Sequence, residues 1–158
     1  MDKAEKTNVM RLLEAQGIPF EPAGYEVDEQ DLSAVHAALA LGLSPDMVFK
    51  TIVLSAGPGD YFAACIPAAF EIDLKKAAAA YGCKKAELLP LKELEPRTGY
   101  VRGGCSPLGM KKRLPTFIDE TAWLQERISV SAGKRGLQVI LSPDDLLKVS
   151  GAVKADLI

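Results

Sequence analysis

Two apolar runs either side of one glycine–proline turn constrain this chain more than any other feature. Phe49-Lys50-Thr51-Ile52-Val53-Leu54 leads into Gly57-Pro58-Gly59-Asp60, and Tyr61-Phe62-Ala63-Ala64-Cys65-Ile66-Pro67 follows. Residues of this kind flanking such a turn predict an antiparallel hairpin. Period-two alternation then puts Lys50 on the strand face shared with Ile52 and Leu54. A lysine on that face either snorkels to water or is held half-buried by a ligand or partner. The first outcome is the commoner one, so Lys50 becomes a functional candidate only in combination with other signals.

The hairpin sits in a chain that interleaves helices and strands. Val9, Leu12 and Leu13, with Gly17 as a stop, predict an amphipathic helix over residues 3–16. Residues 18–27 carry Pro19, Phe20, Pro22 and Tyr25, which suits an edge strand with an irregular start. A second helix is expected over 31–41, ending at Gly42, and a short turn at Ser44-Pro45-Asp46. Asp73 should cap an alanine-rich helix that Gly82 closes. A short strand over 85–88, a helical turn at 90–94 and a strand over 116–119 come next. Strands over 128–131 and 137–141 follow, and Ser142-Pro143 then opens a last short helix. Such interleaving predicts one α/β domain over residues 1–158, with a mixed sheet. At 158 residues and 48% hydrophobic, the chain suffices for one core.

Two stretches combine bare backbone with cations. Gly103-Gly104-Cys105-Ser106-Pro107-Leu108-Gly109-Met110-Lys111-Lys112-Arg113 cannot continue a helix or an interior strand, yet its backbone can approach a ligand closely. Ser131-Ala132-Gly133-Lys134-Arg135-Gly136 repeats that composition. Together they suggest a polar, phosphate-bearing ligand, with Lys111, Lys112, Arg113, Lys134 and Arg135 as candidate contacts to a nucleic-acid backbone. A net charge of −2 argues against non-specific coating of nucleic acid without excluding a local basic patch.

Other chemistries find little support. Three cysteines at wide spacing fit reduced thiols, and one histidine without C-x-x-C or H-E-x-x-H gives no metal site. His36 lies in a helical segment and reads as a surface or half-buried position. Cys105 could be a nucleophile, but no base lies near it in sequence. No cofactor is expected. No apolar run approaches the roughly 20 residues that span a bilayer, and the charged start Met1-Asp2-Lys3 lacks a signal-peptide core. The expectation is a cytoplasmic protein without a membrane partner.

The combination of Phe49-Lys50-Thr51, the run from Gly99 to Gly109, Lys111 to Asp119 and Ser131 to Leu137 resembles the YbaK/EbsC proteins. These are free-standing relatives of the editing domain of bacterial prolyl-tRNA synthetases. The resemblance covers nearly the whole chain. It implies a mixed, barrel-like β-sheet surrounded by helices and the removal of a wrong amino acid from tRNA, in the YbaK branch cysteine from proline tRNA. The family lysine falls on Lys50, followed by Thr51, and the glycine-x-x-x-proline loop facing the ester falls on Gly103 to Pro107. On this basis Lys50, Gly103 and Gly104 are the expected catalytic groups. Tyr25, Thr51, Cys105, Ser106, Pro107, Ser131 and Gln138 are the expected substrate contacts. The chain departs from the family at Gln138, where aspartate is frequent, and at Cys105, where an aliphatic residue is usual. Aminoacyl-tRNA is the implied partner, together with prolyl-tRNA synthetase. Substrate-assisted chemistry is implied, in which a substrate thiol, a ribose hydroxyl or water attacks the ester. Two alternatives remain: a deacylase for another small aminoacyl group, such as Ala-tRNA(Pro), and a non-catalytic module that binds tRNA or a synthetase.

Overall fold

The computed structural model describes residues 6–158. The first helix, α1 (Asn8–Ala15), begins where Thr7 Oγ1 accepts the Met10 N–H at 3.3 Å, and it buries Val9, Met10 and Leu13. The three residues expected at its start, 3–5, lie outside the described part. Strand β1 (Glu21–Gly24) is shorter than the sequence suggests and lies at a sheet edge, where Pro22 removes no interior hydrogen bond. Helix α2 (Ala34–Leu41) runs from the Ser33 cap to Gly42, whose φ of 68° closes it. The hairpin forms as expected from β2 (Phe49–Gly57) and β3 (Asp60–Pro67). Helix α3 (Leu74–Tyr81) follows the Asp73 cap.

After the two-residue strand β4 (Glu87–Leu88), helix α4 (Leu91–Thr98) extends a full turn past the expected 90–94. It contains Pro96, which cannot donate back to the carbonyl of exposed Lys92. The Thr98 hydroxyl donates to the Leu94 carbonyl at 2.8 Å and helps to carry the last turn. Strand β5 (Thr116–Asp119) leads through a 3-10 turn (Glu120–Leu124) to β6 (Ile128–Lys134) and β7 (Leu137–Leu141). Helix α5 (Pro143–Ser150), capped by Ser142, and strand β8 (Val153–Ala155) complete the chain. Neither the 3-10 turn nor β8 was expected from sequence.

The strands do not close into a barrel. Among the described residues they form two sheets, an antiparallel one ordered β1-β7-β6 and a mixed one ordered β4-β2-β3-β5-β8. Within the second, β5 pairs in parallel with both β3 and β8. The sheets touch at a parallel bridge between Val48 and Ser129, where the Ser129 N–H donates to the Met47 carbonyl at 2.8 Å. The principal core fills the space between them, with Phe49, Cys65 and Ile118 from one sheet and Val130, Val139 and Leu141 from the other. Leu13 of α1 and Leu146 of α5 join this cluster. On the far face of the five-stranded sheet, Leu54, Phe62, Ile66 and Phe117 pack with Ala77 and Ala78 of α3 and with Leu157. A smaller cluster, Ala38, Val48 and Ala68, seats α2 beside the inter-sheet bridge.

Buried Asp119 anchors the C-terminal segment. One carboxylate oxygen accepts the Leu157 N–H at 2.8 Å and the other accepts the Thr121 N–H at 3.1 Å. Asp119→Ala strands the buried Leu157 donor, and its cost should be about 2–3 kcal/mol. The midpoint of denaturant unfolding checks this, and an unchanged midpoint would show that the anchor adds nothing.

Candidate functional site

The beginning of β2 opens onto a cleft of about 330 Å³ beside the bridge that joins the sheets. Five segments supply its walls: Val48 to Ile52, Ala68 after β3, Tyr25 and Leu32 with the first turn of α2, the 102–105 bend, and Ser131 with Gln138 from the β6–β7 pair. The walls mix apolar side chains with a few polar groups, the usual make-up of a small-molecule site. Among the described residues, no aspartate or glutamate lines it.

Lys50 is half-buried here, and its Nζ donates to the Ala68 carbonyl at 3.0 Å. Burial holds its pKa below the ordinary lysine range, while Glu71 pulls the other way. The tether occupies one of the three ammonium donors and fixes the head group beside the cleft. Next to it, Thr51 Oγ1 and the buried Cys65 Sγ lie 3.6 Å apart, as their direct pairing in the hairpin register requires. Gln138 is buried, and its Oε1 accepts the Ser129 hydroxyl at 2.8 Å. The Ser131 hydroxyl accepts the Gly133 N–H at 3.1 Å, which holds it at the bulge of β6. Tyr25 meets the His36 ring edge-on, with centroids 6.5 Å apart.

The two glycine-rich stretches pack against each other. A Cβ built at Gly104 would lie 3.0 Å from the Arg135 backbone nitrogen and 3.2 Å from the Lys134 carbonyl carbon. Close approach of two backbones therefore favours glycine at 104, since a side chain there would have to push the turn back by a few tenths of an ångström. At Gly103 the reason differs: its φ of 86° is a conformation that side chains disfavour.

Seven residues singled out from sequence converge on this cleft: Tyr25, Lys50, Thr51, Gly103, Cys105, Ser131 and Gln138. Gly104, Ser106 and Pro107 do not line it. The Gly104 N–H donates to the Val101 carbonyl at 3.0 Å within the bend. Ser106 is fully buried and its hydroxyl accepts the Leu108 N–H at 3.2 Å, a turn-stabilising role. Pro107 faces a separate depression with Leu108 and Arg113.

The expected cationic contacts also divide. Arg113 donates to the Ser150 carbonyl at 2.6 Å and caps the end of α5. Lys111 lines another hollow with Tyr100 and the start of α1, Lys112 is exposed, and Lys134 lies at the β6–β7 turn. Arg135 packs against the 102–104 bend. Arg102, which sequence reasoning passed over, lies at the cleft itself. Its position between Val101 and Gly103, inside the flagged loop, was the available signal.

A small cleft of this kind, with a tethered Lys50, Arg102 and no carboxylate among its described lining residues, is suited to a compact, electron-rich group. The chain belongs to the aminoacyl-tRNA editing domain family, whose sequence model matches residues 28–149. A relative from Enterococcus faecalis (strain ATCC 700802 / V583), named "Putative Cys-tRNA(Pro)/Cys-tRNA(Cys) deacylase EbsC", is 44% identical over 153 residues, which span 97% of this chain and 93% of that protein. The fold is shared with two solved structures. The "hypothetical protein APE2540" has a TM-score of 0.86 at 22% identity, over 96% of this chain and 99% of the other. "A putative trans-editing enzyme for prolyl tRNA synthetase" has a TM-score of 0.79 at 24% identity, over 97% and 98%.

Cys105 occupies the cleft but is poorly suited to nucleophilic attack. Burial, with a smaller contribution from Cys65, pushes its thiol up to about 12. At pH 8 the thiolate is then only about one part in ten thousand. In the native protein Cys105 should react with iodoacetamide far more slowly at pH 8 than a cysteine in an unstructured peptide. Mass spectrometry of the alkylated sites checks this, and rapid labelling would restore a nucleophilic role.

Proposed function

We propose that this chain is a trans-acting aminoacyl-tRNA deacylase that hydrolyses mischarged tRNA, with Cys-tRNA(Pro) as its principal substrate. The observation that carries the reading is the meeting of Lys50 and the Gly103–Cys105 bend in one cleft within a chain of the editing family. On this reading residues 1–158 act as one editing domain.

An aminoacyl ester is already activated, so the protein has to orient a nucleophile and stabilise developing negative charge. Lys50 serves as the electrostatic anchor for the ester or the terminal ribose phosphate, and its tether to Ala68 keeps it pre-aimed. The Gly104 N–H is engaged within the bend, which leaves the main chain at Gly103, together with Lys50, to meet the ester oxygen. Gln138, Ser131, Thr51, Tyr25 and Cys105 form the wall against the acyl group and ribose. The protonated state of Cys105 favours a nucleophile drawn from the substrate or from solvent. Arg102 at the mouth, with Lys111, Lys112 and Lys134 beyond it, would meet the phosphates of the acceptor end.

Charged tRNA is made and used in the cytoplasm, so the same reading places the protein there. The family resemblance makes prolyl-tRNA synthetase its expected partner. Among the described residues, no helix is long and apolar enough to cross a membrane.

Deacylation of a panel of mischarged tRNAs, with and without that synthetase, tests the assignment. Cys-tRNA(Pro) should be hydrolysed fastest, and Lys50→Ala should lower its turnover on the order of a hundredfold while the melting temperature stays close to wild type. Wild-type turnover by Lys50→Ala would refute the anchor. Salt-sensitive tRNA binding without hydrolysis of any ester would leave a binding module instead.

A further inference from the structure

Arg135 is one of the cations that the sequence suggests for tRNA contact, yet its guanidinium is already engaged. Its Nε donates to the Arg102 carbonyl at 2.7 Å, and Nη1 lies 3.5 Å from a carboxylate oxygen of Glu29. These bonds join three segments that are remote in sequence. Arg135 sits in the β6–β7 turn, Arg102 opens the glycine bend, and Glu29 lies in the connection between β1 and α2. Each segment also contributes to the cleft, through Ser131 and Gln138, through Gly103 and Cys105, and through Tyr25 and Leu32. The contact between bend and turn is close enough that a Cβ at 104 would press on the Arg135 nitrogen at 3.0 Å, and the aliphatic part of Arg135 lies 3.5 Å from a Cβ built at Gly103.

We propose that Arg135 is a positioning residue that latches together the three segments framing the cleft mouth, rather than a phosphate contact. The two limbs differ in strength. The Glu29 carboxylate is 72% exposed, so its pairing with Arg135 is solvent-screened and weak. The bond to the Arg102 carbonyl is short and charge-assisted, and the Arg135 side chain is only 31% exposed, so this limb dominates. Fixing the Arg102 carbonyl fixes the backbone just before Gly103, and with it the wall that faces Lys50. An arginine is needed because one planar fork reaches two acceptors in different directions, whereas a lysine supplies a point charge.

In its catalytic consequence the latch rests on the deacylase reading above. Its test separates latch from phosphate contact by charge, shape and salt. Arg135→Lys keeps the charge and loses the fork, while Arg135→Ala loses both. Gly104→Ala keeps every charge and pushes the bend off the turn. Single-turnover deacylation at saturating enzyme should fall about five- to tenfold for all three variants, and about twofold or less for Glu29→Gln. The slope of log Kd for tRNA against log salt concentration should stay at the wild-type value for Arg135→Ala. Three results would overturn the proposal. Arg135→Lys could restore the wild-type rate, Gly104→Ala could react at the wild-type rate, or Arg135→Ala could lose about one unit of salt slope with its saturated rate intact. Melting temperatures near wild type for the four variants exclude unfolding as the cause. Should Gly104→Ala fail to fold, the two Arg135 variants decide. If the wild-type protein hydrolyses no mischarged tRNA, the deacylase reading fails, and hydrogen exchange still tests the latch. Amides of residues 25–33 and 102–105 should exchange several-fold faster in Arg135→Ala than in wild type, and unchanged exchange would refute it.

Discussion

The backbone around Val48 holds this molecule together and also creates its site. Ser129 donates to the Met47 carbonyl, Ala68 donates to the Val48 carbonyl, and Val48 bridges to Ser129 across the two sheets. Two sheets that join at one point must diverge from it, and the space they enclose is filled in one direction by the core. In the other direction it is left open. Phe49 packs into the core between the sheets and also borders the cleft, and Lys50, one residue later, reaches the Ala68 carbonyl beside it. A single backbone bridge thus sits at the boundary between packed interior and accessible cleft.

That boundary explains why a lysine is tolerated at the start of an otherwise apolar strand. Full burial of an unpaired ammonium would be prohibitive, and full exposure would leave nothing to orient it. Lys50 occupies the intermediate condition, with the Ala68 carbonyl as its one fixed partner. Ala68 is itself held by Val48. The partner of Lys50 is therefore anchored by the same junction that joins the sheets, and changes in sheet packing reach the cleft through two hydrogen bonds.

Legibility from sequence followed the locality of each cause. The hairpin, the Asp73 and Ser142 caps and the glycine stops at 42 and 82 depend on neighbours within a few residues and were readable, whereas α2 starts at Ala34 after the Ser33 cap, three residues past the expected 31. Strand β8 depends on a parallel partner, β5, more than thirty positions earlier, so no local pattern announces it. Helix α4 runs a turn beyond the expected 90–94, through Pro96, which a local reading takes as unfavourable inside a helix. The split into two sheets instead of a barrel likewise rests on pairings that no short window contains. At the cleft, composition flagged two loops that do border it, without telling which residues of each loop line it. Ser106 and Pro107 therefore proved structural while Arg102 reached the cleft. Gln138 was found through family resemblance alone, since a glutamine in a strand carries no chemical signal of its own.

Tyr100 carries an implication for how such a chain can vary. Its hydroxyl donates to the Leu108 carbonyl at 2.6 Å, a Cβ at Gly133 would come within 3.0 Å of its ring, and one at Gly109 would come within 2.8 Å of its oxygen. The phenol works as a rivet driven through both glycine-rich loops, with each bare backbone forming part of its seat. Both glycines also hold positive φ, 70° at 109 and 94° at 133, so backbone conformation and the phenol together exclude bulk at these positions. These positions are closed to variation in size, and the cleft wall, which contains none of them, is where acyl preference can change.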